Sequence, residues 1–176
     1  GAMTPDPPYL PSRLSEYTDA ELFFIVKHGI KFTGMPAWPA LKRDDEVWAV
    51  VAFLKRLPEL EGPAYRALVW DEALVTAQNA PPSLREQVLP ATIAECFRCH
   101  KSDGLGRGQS LFPNLAGQSS EYMENALRAY ADGERHSGVM QPVAARLRDH
   151  EIDALAAYFS KLSAPAAAAP ASDPQA

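Results

Sequence analysis

Cys96-Phe97-Arg98-Cys99-His100 places two thiols three residues apart and an imidazole directly after the second. A C-x-x-C-H run of this kind is the attachment pattern of a c-type haem. Each thiol adds across one vinyl group of the porphyrin, and the adjacent histidine ligates the iron from the same side. Cys96 and Cys99 are the only cysteines in the chain, so no other pairing competes for them. Two other uses of the pattern stay open on the residues alone. A thioredoxin-like dithiol needs a βαβ setting, and no strand pattern surrounds this run. A structural zinc site needs a fourth ligand from His28, His136 or His150, none of which stands at metal-ligand spacing.

The elements that must carry this motif read as helices. A short helix over 92–98 is expected to deliver the cysteines. A glycine-rich loop follows (Gly104, Gly106, Gly108), then Phe112-Pro113-Asn114-Leu115-Ala116-Gly117-Gln118. The next helix is predicted over 120–131, stopping at Gly133. The last begins near Asp149, with Ile152, Leu155, Ala156, Phe159 and Leu162 on one face. Upstream, Thr18-Asp19-Ala20-Glu21 is a capping box whose helix carries Leu22, Phe23, Ile25 and Val26 to a stop at Gly29. Another helix starts near Asp44, places Val47, Val50, Val51 and Leu54 on one face, and ends at Pro58. Strand signals are absent, so the fold class is all-α.

Composition narrows the function classes. A net charge of −5 argues against nucleic acid, whose binding needs a concentrated basic face. No apolar run reaches the roughly 18 residues of a membrane span. The expected organisation is an expression remnant (Gly1-Ala2-Met3) and tail over 1–8, a partial unit over 9–60 and a proline-rich linker over 61–91. The unit bearing the motif then occupies 92–163, and a disordered Ala/Pro-rich tail 164–176. One short helix is expected inside the linker, over 65–77.

Two segments match without a gap at an offset of 105. Met35 falls on Met140, Asp44 on Asp149, Glu46 on Glu151, Val47 on Ile152, Phe53 on Tyr158, Leu54 on Phe159 and Leu57 on Leu162. Each segment also has a glycine-stopped helix before its methionine, at Gly29 and Gly133. Applied backwards, the offset puts twins of Cys96 and His100 at −9 and −5. The first unit is therefore expected to be the distal half of a haem domain, with truncation preferred to natural loss. Such a half is expected to hold no haem and to be less stable, since half a small domain buries little surface.

On these residues the chain resembles the class I cytochromes c, and among them the dihaem cytochrome c4 type. The resemblance is strongest over 92–162. It rests on Cys96 to His100, the Phe112–Gln118 loop, the Tyr122 helix and Val139-Met140-Gln141-Pro142-Val143-Ala144. Gly34-Met35-Pro36-Ala37-Trp38 stands in the methionine-loop position of the first unit. The resemblance implies one covalent haem c on Cys96 and Cys99, with His100 and Met140 as axial ligands and Pro113 accepting from the other His100 nitrogen. Leu115 belongs to the implied haem-binding loop. Tyr122, Tyr130 and Tyr158 are candidates to line the haem, against the reading of aromatics at helical spacing as core. Arg107 and Arg135 are candidates to neutralise propionates, against solvated surface arginines. Met35 reads as an idle former ligand, and Met123 as core filler.

The function implied is electron transfer by a His/Met haem in the bacterial periplasm. The implied partners are redox proteins such as a terminal oxidase or a membrane dehydrogenase, and the carrier itself is not an enzyme. Two alternatives stand beside it. One is a haem fragment of a multi-subunit oxidoreductase or peroxidase-like enzyme; the other is a haem sensor with a labile sixth ligand. Both require an open sixth position, and no distal acid–base pair suited to peroxide chemistry is recognisable.

Overall fold

The computed structural model describes residues 9–68, 72–107 and 111–164. The residues expected as an expression remnant, Gly108 and the Ala/Pro-rich residues from 165 lie outside them. Ten α-helices occur among the described residues: α1 (Leu10–Arg13), α2 (Asp19–His28), α3 (Asp44–Arg56), α4 (Gly62–Arg66), α5 (Glu72–Gln78), α6 (Pro82–Arg85), α7 (Pro90–His100), α8 (Ser120–Ala131), α9 (Met140–Ala144) and α10 (Asp149–Ser160). No strand is found among those residues, in keeping with the all-α class. The chain divides into two compact units: Gly1–Asp71 with Ala126–Leu147, and Glu72–Asn125 with Arg148–Ala176.

In the first unit, Thr18 accepts from the Glu21 N–H at 3.3 Å while Glu21 Oε2 accepts from the Thr18 N–H at 2.8 Å. This reciprocal pair opens α2 as the sequence predicts. The helix stops at Gly29, whose φ of +66° suits glycine. A Cβ there would press on the backbone of Met35, Pro36 and Ala37, so the methionine loop folds back over the helix end. Ile30 N–H to Met35 O (3.1 Å) and Trp38 N–H to Lys27 O (3.1 Å) hold it there. Leu14, Leu22 and Val51 form the buried core of this layer, with Phe23, Leu54 and Leu57 packed against it. Lys27–Asp44 and Lys55–Asp19 link α2 to α3 at its rim.

In the second unit, α5 packs on α7 and α6 against α10. Ile93, Phe97, Leu155 and Phe159 are fully buried. Phe97 meets the rings of Tyr158 and Phe159 at 5.7 and 6.1 Å between centroids. The apolar face expected on α10 is the one that faces inward here.

The structure refines the sequence reading at the motif helix and in the linker. The motif helix is longer than 92–98. Pro90 opens it in the first turn, where a missing N–H costs nothing, and it runs through His100 until Lys101 takes a φ of +60°. The short helix expected over 65–77 falls on the end of α4, the helical residues 67 and 68 and most of α5, with 69–71 outside the described residues, and α6 follows. Pro63 and Pro82 stand at the first turns of α4 and α6, so these prolines start helices as well as interrupt them.

Candidate functional site

Helix geometry explains why the motif works as a unit. Residues three and four apart share a helix face. Cys99 and His100 therefore lie on the same side of α7 as Cys96, and both cysteines carry free thiols. His100 is buried, and its Nδ1 lies 3.0 Å from the carbonyl oxygen of Pro113. A carbonyl can only accept, so Nδ1 carries the proton and Nε2 keeps its lone pair for a metal. Burial lowers the His100 pKa, opposed by the Pro113 bond, and the ring stays neutral at pH 7. Desolvation pushes the Cys96 thiol up to about 12, with the Glu95 charge adding to it. Cys99 is raised by burial as well, offset by Arg98 and Arg107. Two protonated thiols and a neutral imidazole on one face fit the donor set of a covalently held haem.

The loop after α7 is built around His100. Its carbonyl accepts the Gly106 N–H at 3.0 Å, and Gly104 O accepts from Leu115 and Ala116. Gly106, at φ +67°, lets the Phe112 carbonyl approach so closely that a Cβ would collide with it. Leu115 is half-buried on this loop. Arg107 donates from Nε to Arg98 O at 2.7 Å, which commits part of its guanidinium to the backbone. It also lines a cavity of about 110 Å³ with Phe97, Lys101 and Asp103, well short of the several hundred Å³ of an ordinary small-molecule site.

The remaining sequence candidates fall in different surroundings. Tyr122 is exposed. Tyr158 donates its hydroxyl to Ser102 O at 2.7 Å and packs in the core. Tyr130 lies under the Arg135 guanidinium, 4.8 Å from ring centroid to Cζ. Met123 is buried, as core filler should be. His28 lies against Phe24, and His136 and His150 are exposed. Met35 is exposed at 37%. Met140 is half-buried at the first position of α9, in the first unit, whereas Cys96, Cys99 and His100 belong to the second.

One cluster was not anticipated from sequence. Within the first unit the buried carboxylate of Glu46 accepts from Ser137 Oγ (2.6 Å), Gly138 N–H (2.7 Å) and Trp38 Nε1 (3.0 Å). Arg43 stands 3.1 Å away. The repeat register did mark Glu46, as the twin of Glu151, but nothing local pointed to partners some ninety residues later.

Two family models match the chain: "Cytochrome c" over residues 90–163, and "Cytochrome C oxidase, cbb3-type, subunit III" over residues 1–54. Cytochrome c-554(548) of Halomonas halodenitrificans is 44% identical over 71 residues, which is 39% of this chain and 84% of that protein. The thiosulfate dehydrogenase electron acceptor of Thiomonas intermedia is 40% identical over 73 residues, 42% of this chain; the match spans only 34% of that protein. Cytochrome c4 of Thiocapsa roseopersicina is 33% identical over 125 residues, 68% of this chain and 60% of that protein.

Proposed function

The chain belongs to the cytochrome c family, and from that premise we propose that it carries single electrons through one haem that Cys96, Cys99, His100 and Met140 would hold. The observation that carries this reading is the His100–Pro113 bond, which aims the free Nε2 lone pair from the helix face that also bears both thiols. When bound, the haem supplies a one-electron iron couple and nothing the side chains could supply themselves. Cys96 and Cys99 tether it, and the Pro113 carbonyl fixes the tautomer and orientation of His100. Met140 adds a neutral, soft thioether donor that favours ferrous iron and raises the potential. With His100 and Met140 both holding the iron, the haem would serve as an electron carrier. Met140 enters on its loop motif and its register with Met35.

Its partners on this reading are redox proteins in the periplasm, docking weakly over a small interface so that turnover stays fast. The name of the Thiomonas relative favours a dehydrogenase as electron donor. None of the described helices is long and apolar enough to cross a membrane.

Intact mass with a ferric absorption spectrum tests the proposal. The expected result is the mass of one added haem and a methionine–iron charge-transfer band at the red end of the visible range. Met140→Ala should abolish that band, lower the potential and open the sixth position to cyanide. High-spin ferric iron that binds cyanide readily in the unaltered protein would refute the carrier reading.

A further inference from the structure

Ser137 Oγ is the centre of a small relay beside Met140. It accepts the backbone N–H of Val139 at 3.2 Å and of Met140 at 3.0 Å, while donating its one proton to Glu46 Oε1. A hydroxyl has one proton and two lone pairs, and all three are used here. The Glu46 carboxylate is filled in turn. Oε1 faces Ser137 and Arg43 Nη1; Oε2 faces the Gly138 N–H and the Trp38 indole N–H. The same turn is held by Arg43 Nη1 donating to His136 O (3.0 Å) and by the Ser137 N–H donating to Gln141 Oε1 (3.0 Å). Gly138 is needed for the approach: a Cβ there would stand 2.5 Å from Trp38 Cε2.

We propose that Glu46 is a positioning residue for Met140, acting through the Ser137 hydroxyl to fix the turn that begins α9. It rests on the reading of Met140 as an iron ligand. An ionised carboxylate is acceptor-only, which is why it can meet four donors. An amide in its place puts donors against donors. With its nitrogen at Oε2, the Gly138 and Trp38 N–H groups lose their acceptor. With its nitrogen at Oε1, the Ser137 proton must turn away and one capped N–H is released. A segment some ninety residues upstream thus sets how firmly the methionine is held.

The test uses the haem-loaded protein, with amide hydrogen exchange at Val139 and Met140 and the rate of cyanide binding to ferric iron as readouts. Glu46→Gln should raise both by about tenfold or more, the loss typical of a hydrogen bond to a charged group. Ser137→Ala should move both the same way, and it decides the matter if Glu46→Gln yields no folded protein. Glu151→Gln, at the twin position, should leave both unchanged. If Met140→Ala speeds cyanide binding while Glu46→Gln and Ser137→Ala keep the original rates, the positioning role falls and the ligand assignment stands. Equal acceleration by Glu151→Gln would likewise overturn it, as general loosening. If Met140→Ala itself changes nothing, both readings fall.

Discussion

At the head of α3 stand Arg43 at the cap and Glu46 in the first turn; at the head of α10 the same pair recurs as Arg148 and Glu151. Both glutamates are buried. Glu151 serves its own helix: it accepts the Arg148 N–H at 2.9 Å and the Arg148 guanidinium at 3.1 Å. At α3 the corresponding cap N–H is already taken, since Arg43 N–H donates to Ala40 O at 3.0 Å. The Glu46 carboxylate is thereby released to gather donors from Trp38, Ser137 and Gly138. The positions equivalent to Trp38 and Gly138 hold Val143 and Thr33, which offer neither an indole N–H nor a bare Cα. One local code supports two uses, and the backbone turn before the helix selects between them.

Removing the two carboxylates should expose this asymmetry. Glu46→Ala strands the buried Ser137 hydroxyl and the half-buried Trp38 and Gly138 donors, and is expected to cost about 3 kcal/mol. Glu151→Ala removes only a helix-end interaction, worth about 1 kcal/mol. Urea unfolding midpoints would check the difference, and equal losses would remove the distinction between the two helix heads. Gly138→Ala comes next, at about 2 kcal/mol, because the added methyl overlaps the Trp38 indole. In a Trp38→Ala background the same substitution should cost much less, because the overlap is gone. The smallest effect is in acid. Hydrogen bonds from Arg148 hold Glu151 below the usual carboxylate range. Its contribution is therefore full above the unfolded-state value and is lost as pH falls through the lowered folded one. Glu151→Gln should flatten that acid limb, as read from unfolding midpoints across a pH series.

Local periodicity and capping made most of the helices legible. Thr18 and Glu21 announced α2, and the expected bounds of α8 match the structure at both ends. Prolines misled, because Pro63, Pro82 and Pro90 read as breaks when their first-turn positions begin helices. In the candidate site, the spacing of Cys96, Cys99 and His100 was self-evident, and family resemblance supplied the Pro113 carbonyl seen at 3.0 Å. The Glu46 cluster was illegible for a physical reason: its partners are joined by folding, not by sequence distance. A buried carboxylate and a serine ninety residues apart leave no periodic trace.

His100 also has a mechanical part. Gly106 hangs from its carbonyl and Pro113 from its ring, so one residue clasps both ends of the segment between them. Replacing the imidazole undoes one end of the clasp together with any ligation. Failure of a His100 variant to mature would therefore report two losses at once. A substitution at Pro113 leaves the imidazole in place, which makes it the cleaner probe of how much the loop alone contributes.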